Sequence, residues 1–353
     1  MKRQNTFLLF IIFIFIQLPF TYGMVNDSFG LGPLWDAISL VIVNFGAFFL
    51  FMGTFIYTVK SSKEFFIYKL IWLQEIFIIM GLFGTILGFA LTLISLNTSF
   101  PPGVDPSAAT ISNMAISLIT LIYGFLSAAT VYLIQKFYEL KRNKIEGVEI
   151  KTPKEGFLIS SFIYFLLFII FEFLSLSIGG ADIGGFVYII SFESLICVIT
   201  LFLIFFLFYN GDSPINLIKN IWWYVPDKEK NILYNLNFVR NMKKIAAIMV
   251  GVSLLCAPII MLAALAWPSE ENNSLGWNSF TFSGLENGSI IFFWVLNFII
   301  LLTIIEGREA SKLYFITGKI SAGDRFYSIK YILAPAFLLF FTFSFGILQT
   351  FLL

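Results

Sequence analysis

Residues 81–97 read GLFGTILGFALTLISLN. They place Gly81, Gly84, Thr85, Gly88, Thr92 and Ser95 within about four turns of helix. A hydroxyl both donates and accepts a hydrogen bond without carrying a fixed charge. A row of them can therefore line a narrow ionic path. At 100° per residue, Gly81, Thr85, Gly88 and Thr92 fall within about 60° of one another. Gly84 and Gly88 add a GxxxG step on the adjacent strip. Small residues at that spacing let two helices approach closely in lipid, where no hydrophobic effect drives them together.

The next candidate helix repeats the device. Residues 106–131 read PSAATISNMAISLITLIYGFLSAATV, and Asn113, Ser117, Thr120, Gly124 and Ser127 follow i+3/i+4 spacing. Only the fourteen residues from Asn97 to Thr110 connect the two stretches. The spacing predicts a tight antiparallel pair. On the residues alone two readings stay open: the facing stripes pack the helices together, or they line a polar path.

Acidic side chains at membrane depth are a second source of chemistry, because each costs a few kcal/mol to insert. Glu193 falls near the middle of its apolar run and Glu172 toward the outer end of another. For Glu193 a proton relay and a buried hydrogen bond to a Ser or Thr are both open. Glu75 and Glu306 lie near the inner boundary, within reach of water or a lysine. Asp36 and Asp182 read as solvated, and Asp105 as a turn residue or a cation attractor at a pore mouth.

The elements that must hold these residues are apolar. Of 353 residues, 59% are hydrophobic and 12% charged, against about 25% charged in soluble domains. The apolar runs fall at about 7–20, 35–58, 71–96, 111–135, 157–178, 184–208, 245–267, 288–305 and 331–353, most of them long enough for roughly 30 Å of hydrocarbon. Backbone groups in lipid must satisfy one another, so the expected fold is all-α: a polytopic bundle of 8–9 transmembrane helices. A net charge of +1 argues against nucleic acid. There is no His, and both cysteines, Cys197 and Cys256, sit inside apolar runs. Without His, clustered Cys or a G-x-S-x-G motif, the sequence offers no metal site, cofactor site or catalytic nucleophile, and reads as a non-enzyme.

Lys and Arg set the orientation. With the N-terminus inside, the basic residues fall at Lys2–Arg3, Lys60–Lys69, Lys136–Lys154, Lys219–Lys244 and Arg308–Lys330, all in inside segments. The outside loops 21–34, 97–110, 179–183 and 268–287 hold none. This places the C-terminus outside. Residues 1–23 have the form of a signal peptide ending near Gly23 and also of a first transmembrane helix. Residues 24–140 form one module, 141–156 a charged, Gly/Pro-punctuated cytoplasmic linker, and 157–353 a five-helix membrane region. Ile221-Trp222-Trp223-Tyr224 beside Lys219 and Lys228 reads as an interfacial helix. Aligning 76–96 with 245–265 keeps several apolar residues in register and sets Leu254 at Thr85 and Ala257 at Gly88, so the second region is a candidate degenerate repeat.

The stretch GLFGTILGFALTL, a short Pro/Asp-containing loop and PSAATISNMAISLITLIYGFLSAA together resemble the last two helices of the MotA/TolQ/ExbB proton-channel family, MotA-type stators above all. Those carry GxxGTxxG and then a helix of the form M-A-x-A-L-L-T-T-x-Y-G-x-x-x-A. Met114, Ala115, Leu118, Thr120, Tyr123, Gly124 and Ala128 match it, over about 60 residues in all. The resemblance implies an oligomeric ring, often of five subunits, in the bacterial inner membrane. The ring surrounds a MotB/ExbD-like single-span partner whose membrane Asp carries H⁺ or Na⁺. Thr85 and Thr120 match the family's pore threonines, and Thr92, Ser117 and Asn113 extend the implied ion pathway. Gly81, Gly84, Gly88 and Gly124 pack the helices.

The chain departs from the family in three places. Leu121 replaces the second Thr of the T-T pair. The connection from Thr58 to Leu70 is about a dozen residues, where MotA-type stators have the long cytoplasmic domain that pushes on the flagellar rotor; this speaks against a flagellar role. Five further helices follow the module. The sequence therefore supports an ion-driven stator subunit first, and leaves a stand-alone secondary transporter using Glu193 and a non-conducting membrane scaffold as alternatives.

Overall fold

The structure, a computed structural model, describes residues 4–5, 22, 35–55, 60–61, 63–97, 106–140, 156–157, 159–178, 192–211, 213–219, 223–224, 228–266 and 279–317. The segment 331–353, most of 1–23 and of the linker 141–156, Asp105 and Asp182 lie outside the described residues, as do the side chains of Thr92, Asn113, Glu193, Cys197 and Cys256.

The described chain is an all-α bundle apart from two short strand ladders. Its helices are α1 (Ala37–Phe55), α2 (Lys63–Asn97), α3 (Pro106–Leu140), α4 (Ile159–Ile178), α5 (Phe192–Phe208), the short α6 (Pro214–Lys219), α7 (Glu229–Ala266) and α8 (Ser279–Thr317). Two antiparallel ladders of two residues a side tie segment ends together: β1 (Gln4–Asn5) with β2 (Lys60–Ser61), and β3 (Gly156–Phe157) with β4 (Trp223–Tyr224). The second ladder corrects the interfacial-helix reading at 223–224, while 221 and 222 lie outside the described residues. Trp223 and Tyr224 are extended and paired with Gly156 and Phe157.

Local chemistry sets several helix ends. The Asp36 carboxylate caps α1 by accepting from the Ser39 backbone N–H at 2.8 Å. Pro106 opens α3, where its missing N–H costs nothing. The helices also run past their apolar stretches. α8 continues through the charged run after Ile305 to Thr317, and α7 begins sixteen residues before Ile245. Residues 308–317 and 229–244 are therefore helix where the sequence read as inner loop.

Three helices have described stretches long and apolar enough to cross a membrane: Ala37–Phe55, Phe65–Gly88 and Ile116–Lys136. Shorter apolar stretches run over Ser161–Leu174 and Val198–Phe208. The outward faces agree with a membrane protein. α4 exposes Ile163, Leu166, Ile170 and Leu174, and α5 exposes Ile199, Leu203 and Leu207. Contiguous apolar surface of that extent is rare on soluble monomers, whereas lipid accepts it.

α2 and α3 form the most extensive helix contact, and α7 with α8 the second. α1 packs on α2, α3 and α4, while α8 reaches α1, α2, α4, α5 and α7. The core is aromatic at one end, where Phe55, Phe65, Tyr68, Trp72 and Tyr314 meet with ring centroids 5.2–6.5 Å apart. Lys69 is fully buried there, its Nζ over the Phe55 and Phe65 rings at 5.8 and 5.4 Å.

Candidate functional site: a glycine–hydroxyl seam and a buried ionic cluster

The two small-residue stripes meet. A Cβ built on Gly81 would lie 3.0 Å from the Gly124 Cα, and one on Gly124 would lie 2.7 Å from the Gly81 Cα and 2.8 Å from the Phe77 carbonyl oxygen. Two backbones touch at this point, and only glycine on both sides permits it. Further along, Gly84 faces the Thr120 side chain and Gly88 faces Ser117. Residue number rises on α2 as it falls on α3, so the pair is antiparallel.

Thr85 and Thr120 lie in this seam, 2% and 3% exposed. Their Oγ1 atoms are 3.0 Å apart. Thr85 also donates to the Gly81 carbonyl at 2.8 Å, and Thr120 to the Ser117 carbonyl. Two hydroxyl protons are thus shared among three contacts in a row, two filled at a time: Gly81 O, Thr85, Thr120, Ser117 O. The row is well bonded with both hydroxyls pointing one way or both pointing the other. Such a chain can reverse by rotating two hydroxyls, each orientation releasing the hydroxyl bond to one terminal carbonyl, Gly81 O or Ser117 O.

Polar ties fasten both ends of the seam. On one side the Asp36 N–H donates to the Tyr123 hydroxyl at 3.0 Å, joining the start of α1 to α3. On the other, Gln74 donates to Gln135, and Gln135 donates to Glu139 at 2.6 Å. Lys136 completes the row with a 2.7 Å ion pair to Glu139.

A second polar assembly lies among α2, α7 and α8, with Lys243 and Glu306 just beyond the ends of the apolar runs of α7 and α8. Glu306 is bound by Lys243 Nζ on one oxygen and by Arg240 Nε on the other, both at 2.8 Å. One turn on, Glu309 is paired with Lys312 at 2.8 Å and accepts from Asn235 at 3.2 Å. Burial works against charge on Glu306, but the Lys243 ammonium outweighs it and, with Arg240, holds the carboxyl below its ordinary value. Burial likewise works against the Lys243 ammonium, and the carboxylates of Glu306 and Glu75 overcome it and lift its pKa. Both groups therefore stay charged at neutral pH. Arg308, also on α8, donates from Nη1 to Ser161 Oγ at 2.9 Å, and Ser161 in turn donates to the Gly53 carbonyl. Those two bonds link α8, α4 and α1.

The reading of Glu306 as an acid within reach of a lysine gains a particular partner in Lys243. The roles of Arg240, Arg308, Glu309 and Lys312 were missed. One signal was available: Glu306, Glu309 and Lys312 recur every three residues directly after an apolar run, which is a helical period rather than a loop pattern.

Glu172 is 2% exposed on α4. Neither carboxyl oxygen has a donor at full hydrogen-bond geometry among the described residues, and Asn297 of α8 reaches it only more loosely. Glu193 lies on α5, with its side chain outside the described residues. Among the described residues no group of three or more His, Cys, Asp or Glu is placed to hold a metal ion.

Comparison of the chain with protein-family models, with curated proteins and with solved structures gives no match.

Proposed function

We propose that this protein is an ion-conducting, stator-type membrane subunit. It couples H⁺ or Na⁺ flow across a bacterial inner membrane to mechanical work, together with a single-span partner that supplies a membrane Asp. The observation that carries the reading is the Thr85–Thr120 contact at 3.0 Å in the α2–α3 seam. Its hydrogen-bond row is built from neutral hydroxyls that both donate and accept, the chemistry a proton path can use. The likeness of the two stripes to MotA/TolQ/ExbB helices supplies the partner, the ring and the inner-membrane location.

A second reading is a non-conducting scaffold, in which the seam only packs two helices. It is favoured by the bonds from Thr85 and Thr120 to carbonyls of their own helices, which satisfy both hydroxyls without any ion. Thr85→Val and Thr120→Val separate the two. Valine keeps the shape of threonine and removes only the hydroxyl. The stator reading expects energised function to be lost while the protein still inserts and assembles. Full activity of both variants in the native membrane would leave only the scaffold.

A further inference from the structure

Glu172 has no role in the seam or in the ionic cluster. It is a carboxylic acid one turn beyond Phe168, which is fully buried and whose ring packs against Phe83 at 5.7 Å. Phe83 is two residues from Thr85 on α2, and Glu172 is one helical turn along α4 from the Phe168 ring that meets it. The neighbouring positions on α4 pack against apolar groups. Phe171, its neighbour in sequence, stacks with Phe45 at 5.9 Å and meets Phe49 at 5.7 Å. Gly46 of α1 lies against Phe168 and Met80.

The carboxyl is unusual in what it lacks. Glu306 is held by two cations and Glu309 by one. Among the described residues no Lys or Arg acts on Glu172, and the polar group that faces it is the Asn297 side chain of α8. A buried carboxylate without a counter-charge or a set of donors is strongly disfavoured. A neutral acid at the same place is not, because its own O–H can turn to the Asn297 carbonyl oxygen. Evolution has cheaper ways to fill apolar space between phenylalanines, and ionisable groups inside membranes mark ion and proton sites more often than packing.

We propose that Glu172 is a proton-binding site in the membrane interior of this chain, exchanging its proton with the aqueous phase and using Asn297 to orient the neutral carboxyl. The ligand is H⁺. A single carboxyl and one amide give too few oxygens for a metal cation, which needs about six. The site lies outside the α2–α3 pair and goes beyond the stator reading, which places the carried ion on a partner.

The test uses the full chain in vesicles of its native lipids and a lipid-soluble carbodiimide. This reagent attacks protonated carboxyls in apolar surroundings: the carboxyl oxygen bonds to the carbodiimide carbon and the acid proton passes to nitrogen. Mass spectrometry then locates the adduct. The expected result is an adduct on Glu172 that diminishes as pH is raised, is unaffected by Na⁺, and is absent in Glu172→Gln. No adduct on Glu172 would overturn the proposal. So would labelling that does not change with pH, the mark of a sealed structural acid, and so would protection by Na⁺. Asn297→Leu provides a second variant, expected to retain the adduct but to shift its pH dependence; an unshifted profile removes Asn297 from the site and overturns its part. Labelling of Glu172 should be unchanged in Thr85→Val, so failure of the stator reading and failure of this one give different results.

Discussion

Lys243 and Glu306 are joined at 2.8 Å across two helices, each side chain 3% exposed. Such a pair is costly to assemble and costlier to break. Removing one partner leaves a buried charge uncompensated, typically at about 3–5 kcal/mol, whereas replacing both by apolar residues is often neutral. Glu306→Gln and Lys243→Met should each strongly destabilise the protein. The double variant Lys243→Met/Glu306→Leu should recover part of that loss, less the cost of stranding Arg240. Thermal unfolding in detergent, followed by tryptophan fluorescence, reads all three.

The same pair fixes a pH window. The Glu306 carboxyl is held below its ordinary 4.5, so its contribution is present above that value and is lost as pH falls through the lower folded value. The Lys243 ammonium is raised above 10.5, so its contribution is present below that value and is lost as pH climbs through the higher folded value. Stability from this pair should be flat between the two ordinary values and fall outside them. In Glu306→Gln the acid-side loss should shrink, which a pH series of unfolding midpoints would measure.

Gly124→Ala should part the α2–α3 seam. Its Cβ would meet backbone atoms at 2.7 and 2.8 Å, and backbone cannot step aside as a side chain can. Overpacking of this kind costs about 1–3 kcal/mol. Gly53→Ala is the control: its Cβ would meet nothing nearer than 3.4 Å, so the change should be close to neutral. Gly46→Ala should lie between, because the obstructing atom is the flexible end of Met80. Unfolding midpoints that rank the three differently would refute the backbone-contact argument.

Asp36 works twice at the start of α1. Its carboxylate caps the helix through Ser39, and its N–H is bound by Tyr123 of α3. Asp36→Ala keeps the N–H and loses the cap, for about 1 kcal/mol. Tyr123→Phe keeps the cap and loses the tie to α3. Amide exchange near Ser39 should rise in the first variant, and exchange at Asp36 in the second.

Topology is open to a direct check. Introduced cysteines in 97–110 and 268–287 should react with an impermeant thiol reagent applied from outside, and those in 136–156 should not. Reaction of 136–156 in intact cells would reverse the orientation drawn from Lys and Arg.

The helical class and the membrane character were legible in the sequence because both are local properties. A run of apolar residues has one way to satisfy its backbone in lipid, whatever lies elsewhere in the chain. The small-residue stripes were legible for the same reason, since i+3/i+4 spacing needs only the helix that carries it. What the stripes face is not local. Thr85 and Thr120 are 35 positions apart and Lys243 and Glu306 are 63, and each pair exists only because remote segments pack in one register. Sequence alone left the seam open between packing and path, and the tertiary contact of Gly81 with Gly124 brought the backbones together there. It also read the charges after Ile305 as an inner loop, because exposed and paired charges look alike in one dimension. Tertiary structure decided that Arg308, Glu309 and Lys312 are buried on α8, by placing Ser161 and Asn235 against them. Burial of a charge depends on a partner within bonding distance, and that distance is a property of the folded chain only.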